Sequence, residues 1–137
     1  LKGIASAADR KATVETLLNQ TNLWNVRKKA IAGFSGGMRQ RFGIAQALIG
    51  NPDLIIVDEP TAGLDPNQIH EVRETIRKLG ESKTILLSTH ILQEVEAMAE
   101  RILFINEGRL VYDGTIAALR ADGRPLEEHF RRLTRAA

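Results

Sequence analysis

The chain contains no cysteine, and that absence removes three kinds of chemistry at once: a disulfide scaffold, a thiol nucleophile and a thiolate metal site. It fits a reducing compartment. Long hydrophobic runs are missing too. The longest unbroken aliphatic stretch is Leu54-Ile55-Ile56-Val57, far short of the ~20 apolar residues that cross a bilayer, and no basic-then-apolar leader stands ahead of it. Nor is there charge of one dominant sign. Lys and Arg number 19 against 17 Asp and Glu, a formal +2, which is too small a surplus to mark nucleic acid or an acidic membrane surface as a partner. Internal repeats and low-complexity segments are absent. What remains is 137 residues with 43% apolar and 26% charged content, a globular composition with room for one domain and a sizeable core. The chain begins at Leu1 rather than Met, so its start is expected to be a cut rather than a natural end.

Asp9 reads as the cap of a first helix, with Val14, Leu17, Leu18 and Leu23 on one face. Residues 24–32, carrying Arg27, Lys28 and Lys29, read as a solvated connecting segment. Phe34-Ser35-Gly36-Gly37-Met38 is a turn signal that runs straight into helical periodicity. Met38, Phe42, Ala45, Leu48 and Ile49 fall on one side, with Arg39, Gln40, Arg41 and Gln46 on the other, and Gly50-Asn51-Pro52 stops the helix. The non-alternating run from Leu54 to Val57 suits a parallel strand buried on both faces. It ends in Asp58-Glu59-Pro60. Asp65-Pro66 supplies an N-cap and first residue for a helix built on Ile69, Val72, Ile76 and Leu79 and closed by Gly80.

Thr84-Ile85-Leu86-Leu87 reads as a second buried strand ending at Ser88-Thr89-His90, and a third helix follows with Ile91, Val95 and Met98 inward. Two later apolar runs joined through Asn106-Glu107-Gly108 predict a hairpin, and a helical tail starts at Thr115, restarts at Pro125 and ends rich in Arg. Alternating strand and helix argue for an α/β layered fold with a mainly parallel sheet, in which ligands gather at the carboxyl ends of strands. Asp58-Glu59 and His90 both stand at such ends.

Adjacent acids after a buried strand would be expensive to desolvate unpaired. A divalent ion with a taste for hard oxygen, such as Mg²⁺, relieves that cost. Because neighbouring strand side chains diverge, Asp58 could hold the metal while Glu59 positions water. The pair equally fits two solvated acids at a strand-to-loop junction. Ser35-Gly36-Gly37 offers a hydroxyl cap, free N–H groups and the positive end of a helix dipole, an anion cradle if a phosphate approaches and an ordinary capped turn if not. His90 could contact a terminal phosphate or attacking water near neutral pH, or serve structurally. His70 and His129 read as surface residues. For Asp65, capping alone explains the residue.

In order and spacing these pieces resemble the ATP-binding cassette (ABC) ATPases. Residues 34–41, Phe-Ser-Gly-Gly-Met-Arg-Gln-Arg, are similar to the family's signature motif, and Leu54 to Pro60 to its Walker B strand. Ala62-Gly63-Leu64-Asp65 looks like the D-loop and Ser88-Thr89-His90 like the switch histidine. The resemblance implies a P-loop NTPase-like layered fold truncated on its amino-terminal side: residues 1–34 as the end of the helical subdomain, 35–114 as the catalytic core and 115–137 as a helical tail.

It also implies roles. Ser35, Gly36, Gly37 and Met38 would touch the terminal phosphate of an ATP held by another subunit. Asp58 would hold Mg²⁺, Glu59 would orient or deprotonate water, His90 would contact the γ-phosphate, and Asp65 would communicate across the dimer. Met38 stands where the family often has Gln. The partners implied are a second ATPase domain, in a homodimer or heterodimer, and a transmembrane permease, with no nucleic acid, at the cytoplasmic face of the membrane. The hairpin and tail resemble exporter-type members, drug-efflux or gliding-motility-like. A soluble ABC-type ATPase acting on DNA or ribosomes is the alternative. No G-x-x-x-x-G-K-[ST] loop occurs in the sequence, so the chain is expected to be a carboxyl-terminal fragment unable to bind or hydrolyse ATP alone.

Overall fold

The computed structural model describes residues 6–135; the start at Leu1 and the last two residues of the expected tail lie outside them. The chain forms two compact units that divide between Ser88 and Thr89.

The first unit opens with α1 (Ala7–Gln20). Its N-cap is Ser6, whose Oγ accepts from Asp9 N at 3.0 Å. Asp9, expected to be the cap, instead lies in the first turn, where its charge complements the helix dipole. Short 3₁₀ turns occupy residues 24–26 and 31–33, with the Arg27 guanidinium stacked 4.2 Å from the Trp24 ring centroid. The helix α2 (Gly36–Ala47) buries Gly37, Arg41, Ile44 and Ala45. Arg41 was expected on the solvated side. The buried face is rotated toward it because Glu71, on α3 (Pro66–Gly80), supplies an ion pair to the buried guanidinium. In α3 the expected cap and interior appear as predicted: Asp65 Oδ1 accepts from Asn67 N and Gln68 N, both at 3.0 Å, and Val72, Ile76 and Leu79 are buried.

Strands β1 (Leu54–Asp58) and β2 (Thr84–Ser88) pair in parallel, in register from Leu54 with Thr84 to Asp58 with Ser88. Ile55 is buried, yet Ile56 is 69% exposed, Leu54 52% and Leu86 46%. The expectation of strands buried on both faces therefore holds for one face only. On the other face Leu54, Ile56 and Leu86 point largely outward.

The second unit holds α4 (Leu92–Met98), the antiparallel pair β3 (Arg101–Asn106) and β4 (Arg109–Thr115), then α5 (Ile116–Leu119) and α6 (Leu126–Arg135). The hairpin turns on Glu107 and Gly108, both at positive φ (48° and 74°), as a two-residue type I′ loop requires. Ile102, Phe104, Leu119 and Leu126 form the core, with the Phe130 ring edge-on to Phe104 at 5.3 Å. Glu94, on the helix whose apolar residues were expected inward, is itself only 1% exposed and accepts from Thr89 Oγ1 at 3.2 Å.

His129 also departs from expectation. It is 2% exposed rather than a surface residue, because α6 turns Leu126, His129 and Leu133 to one side. Its Nε2–H donates to Asp122 Oδ1 at 3.0 Å, while His70 is exposed as expected.

Two predictions follow from this packing. The 137-residue chain is expected to self-associate through the outward Leu54, Ile56 and Leu86 row. Light scattering should report more than monomer mass at high concentration, and Ile56→Lys with Leu86→Lys should restore the monomer; a clean parent monomer would refute this. The second concerns acid. The Arg124 backbone N–H, followed by the neighbouring His129, holds the Asp122 carboxyl below its ordinary value. The folded state thus binds this proton less readily than the unfolded state, so the stabilisation is complete above about pH 4 and is lost as pH falls through the lower folded value. Thermal melts should show the parent above Asp122→Asn, with a gap that closes below that pH; a gap independent of pH would remove Asp122 from this role.

Candidate functional site

Residues 35–38 begin α2. Ser35 is its N-cap, with Oγ accepting from Met38 N at 3.2 Å and its carbonyl accepting from Arg39 N at 3.0 Å. Gly37 N donates to Gln68 Oε1, on α3, at 3.3 Å. The two glycines have a packing reason to be glycine. A Cβ on Gly36 would stand 2.7 Å from Leu64 Cδ2, and one on Gly37 would stand 3.0 Å from Gln68 Cβ. On their Cβ sides both glycines abut the loop and helix that follow β1. Ser35 is exposed and Met38 half-buried.

At the end of β1, Asp58 is exposed and its Oδ1 accepts from the Ser88 hydroxyl. Glu59 has φ 44°, a left-handed backbone that side chains other than those of Gly, Asn and Asp adopt reluctantly. Its amide donates to Ser88 O at 3.1 Å and to Ser88 Oγ at 3.3 Å. Ser88 therefore grips both acids: it is in register with Asp58, donates to that carboxylate, and accepts from the next residue's N–H. Sequence reasoning placed Ser88 only as a member of a tripeptide. The signal that could have found it was the equal length of the two expected strands, Leu54 to Val57 and Thr84 to Leu87, which sets Asp58 opposite Ser88 in a parallel pair.

The turn from Glu59 back toward α3 closes with Ala62 N to Glu59 O at 3.2 Å and Leu64 N to Thr61 O at 3.2 Å. It delivers Asp65 as an exposed capping carboxylate. A groove of about 170 Å³ brings α2 residues Gln40, Gly43 and Ala47 together with Ile56 and Asp58 of β1. The helix that carries the serine–glycine turn and the strand that carries the acids thus line one surface of the first unit. His90 is exposed and belongs to the second unit, beside a turn held by Thr89 Oγ1, which accepts from Ile91 N at 3.2 Å.

Asp58 suits Mg²⁺ chemically, as an exposed carboxylate oxygen donor. Among the described residues there is no group of three His, Asp or Glu able to hold a metal by themselves, so water and ligand oxygens would have to complete the ion's shell. Nor, among those residues, is any helix long and apolar enough to cross a membrane.

Comparison with known proteins bears on the family and the fold. A family model described as ABC transporter matches residues 3–62, which take in both the serine–glycine turn and the acidic strand end. The lantibiotic transport ATP-binding protein SrtF of Streptococcus pyogenes is 48% identical over 110 residues, covering 77% of this chain and 48% of its own. The ABC transporter ATP-binding protein NatA of Bacillus subtilis (strain 168) is 42% identical over 110 residues, covering 80% of this chain and 45% of its own. The Nod factor export ATP-binding protein I of Paraburkholderia xenovorans (strain LB400) is 42% identical over 115 residues, with coverages of 83% and 38%. A solved structure described as the ATP binding subunit of an ABC transporter superposes with a TM-score of 0.73 at 34% identity, over 94% of this chain and 56% of that one. The chain spans about half the length of these relatives or less. With motifs, fold and relatives in agreement, the chain belongs to the ABC transporter ATP-binding family.

Proposed function

We propose that these residues are the hydrolytic part of the ATP-binding subunit of a membrane transporter, which couples ATP hydrolysis at a head-to-tail dimer of ATPase domains to transport through a permease. The observation that carries this reading is the Ser88 grip on Asp58 and Glu59: its hydroxyl donates to the Asp58 carboxylate, and its hydroxyl and carbonyl oxygens accept from the Glu59 backbone N–H, with Glu59 in a left-handed backbone. Backbone strain of this kind costs on the order of 1–3 kcal/mol, and it persists where a site needs it. The relatives are named for transport and export, which favours this reading over an ATPase acting on DNA or ribosomes. Partner domain, permease and a peripheral position at the cytoplasmic face of the membrane are parts of the same proposal.

In this reading Asp58 holds Mg²⁺, directly or through water, and the ion when bound supplies charge neutralisation for the phosphates. Glu59 orients the attacking water and takes its proton. Its side chain is half-buried, with Oε2 enclosed by protein. Asp58 is exposed and Glu59 half-buried, so the two carboxylates stand in different surroundings suited to different roles. Ser35 presents its hydroxyl to the terminal phosphate of a nucleotide gripped by the other subunit, with Gly36, Gly37 and Met38 shaping that approach, and His90 adds a hydrogen-bonding contact at the γ-phosphate. Asp65 stiffens the start of α3 next to the dimer contact.

The 137 residues contain no glycine-rich lysine loop to grip the β- and γ-phosphates. Because phosphoryl transfer is mostly positioning and charge stabilisation, the purified chain is expected to release no phosphate from ATP. Hydrolysis that disappears in Glu59→Gln would contradict that expectation. In a complete subunit carrying these residues, Glu59→Gln should lower the steady-state rate by the ~10²–10⁴ typical of a general base; a near-normal rate would take Glu59 out of the role.

A further inference from the structure

We propose that Gln68 is a positioning residue that ties the serine–glycine turn to the Asp65 turn, so that the two move as one piece. Its consequence for turnover rests on the ATPase reading above; the tie itself does not.

The first amides of a helix lack partners within it and must find them elsewhere. At the start of α2, Met38 N uses Ser35 Oγ and Arg39 N uses Ser35 O, both local. Gly37 N alone reaches across the fold, to a side-chain oxygen 31 residues away, Gln68 Oε1 at 3.3 Å. Gln68 is in turn held at its own backbone, where its N–H donates to Asp65 Oδ1 at 3.0 Å. The path therefore runs carboxylate, backbone amide, side-chain amide, backbone amide: Asp65 to Gln68 to Gly37, with no exposed lysine or arginine in it. The close approach is built in, since a Cβ on Gly36 would collide with Leu64 Cδ2 and one on Gly37 would crowd Gln68 Cβ and Cγ. Lower in the same seam the Arg41–Glu71 pair holds α2 to α3 by separate means, so the helices stay docked when Gln68 is changed and the turn alone loosens.

The test uses Gln68→Leu, which keeps bulk and removes the acceptor, Gln68→Ala as a second variant in case Leu repacks, and Gln68→Glu, which restores an acceptor. Residue-resolved hydrogen–deuterium exchange on the chain at low micromolar concentration compares Gly37 with Met38, whose amide bond to Ser35 is left intact as an internal reference. Losing one hydrogen bond of ordinary net strength should speed Gly37 exchange about five- to tenfold relative to Met38 in the Leu and Ala variants, and leave it within about twofold in the Glu variant. In a complete subunit, kcat for ATP hydrolysis should fall about three- to tenfold in the Leu variant with KM for ATP within about twofold, and recover in the Glu variant, because the turn is misplaced while the grip on nucleotide lies elsewhere. Unchanged Gly37 exchange would overturn the tie. Faster exchange with unchanged kcat would overturn the positioning role. The ATPase reading fails on a different measurement, a Glu59→Gln subunit that keeps its rate.

Discussion

The in-register parallel pairing of β1 with β2 is the constraint on which the rest of the first unit depends. Because Leu54 is opposite Thr84, Asp58 must be opposite Ser88, and both strands run out at the same level. The hydroxyl at that level is short enough to reach the neighbouring carboxylate and well placed to receive the next amide. A slip of one residue would turn every side chain of the strand to the other face, exposing Ile55 and separating the serine from both acids. Register, usually discussed as a matter of core burial, here also sets the chemistry at the strand end.

Close packing of α2 on α3 is the second constraint. Glycines at a helix start invite a reading as a place for anions, and the sequence supports that reading as well as a capped turn. The structure adds a reason independent of any ligand: Leu64 and Gln68 occupy the volume that larger side chains would need. The same pair of glycines thus serves the approach of two helices and leaves Ser35 exposed at the surface. Arg41 completes the seam, its buried charge balanced by Glu71 rather than solvated.

The elements with strong local signals were legible. The cap and proline of α3, the two aliphatic strands, the Glu107-Gly108 turn and the helical tail all depend on neighbours in sequence, and each lies where its signal placed it. The candidate acids, the serine–glycine turn and Asp65 were equally legible as residues. What was not legible required partners outside the residue's own helix. Arg41 looks solvated until Glu71 is brought to it, and Glu94 until Thr89 folds back on it. His129 follows the same rule, with Asp122 across a turn. Ser6 outcompeted Asp9 as a cap by one hydroxyl contact that a spacing rule cannot rank. The outward row of Leu54, Ile56 and Leu86 was unreadable for another reason: an aliphatic run reports what a strand can bury, not what lies against it.

Residue 59 occupies backbone territory that glycine and asparagine enter with least resistance, whereas the water activation proposed for it would call for a carboxylate on a longer arm. Under that proposal, selection for thermal robustness and selection for turnover would pull on this codon in opposite directions. A library sorted only for survival of heat or protease would then drift away from glutamate at that position, and an effort to harden this scaffold would hold residue 59 fixed and seek its gains elsewhere.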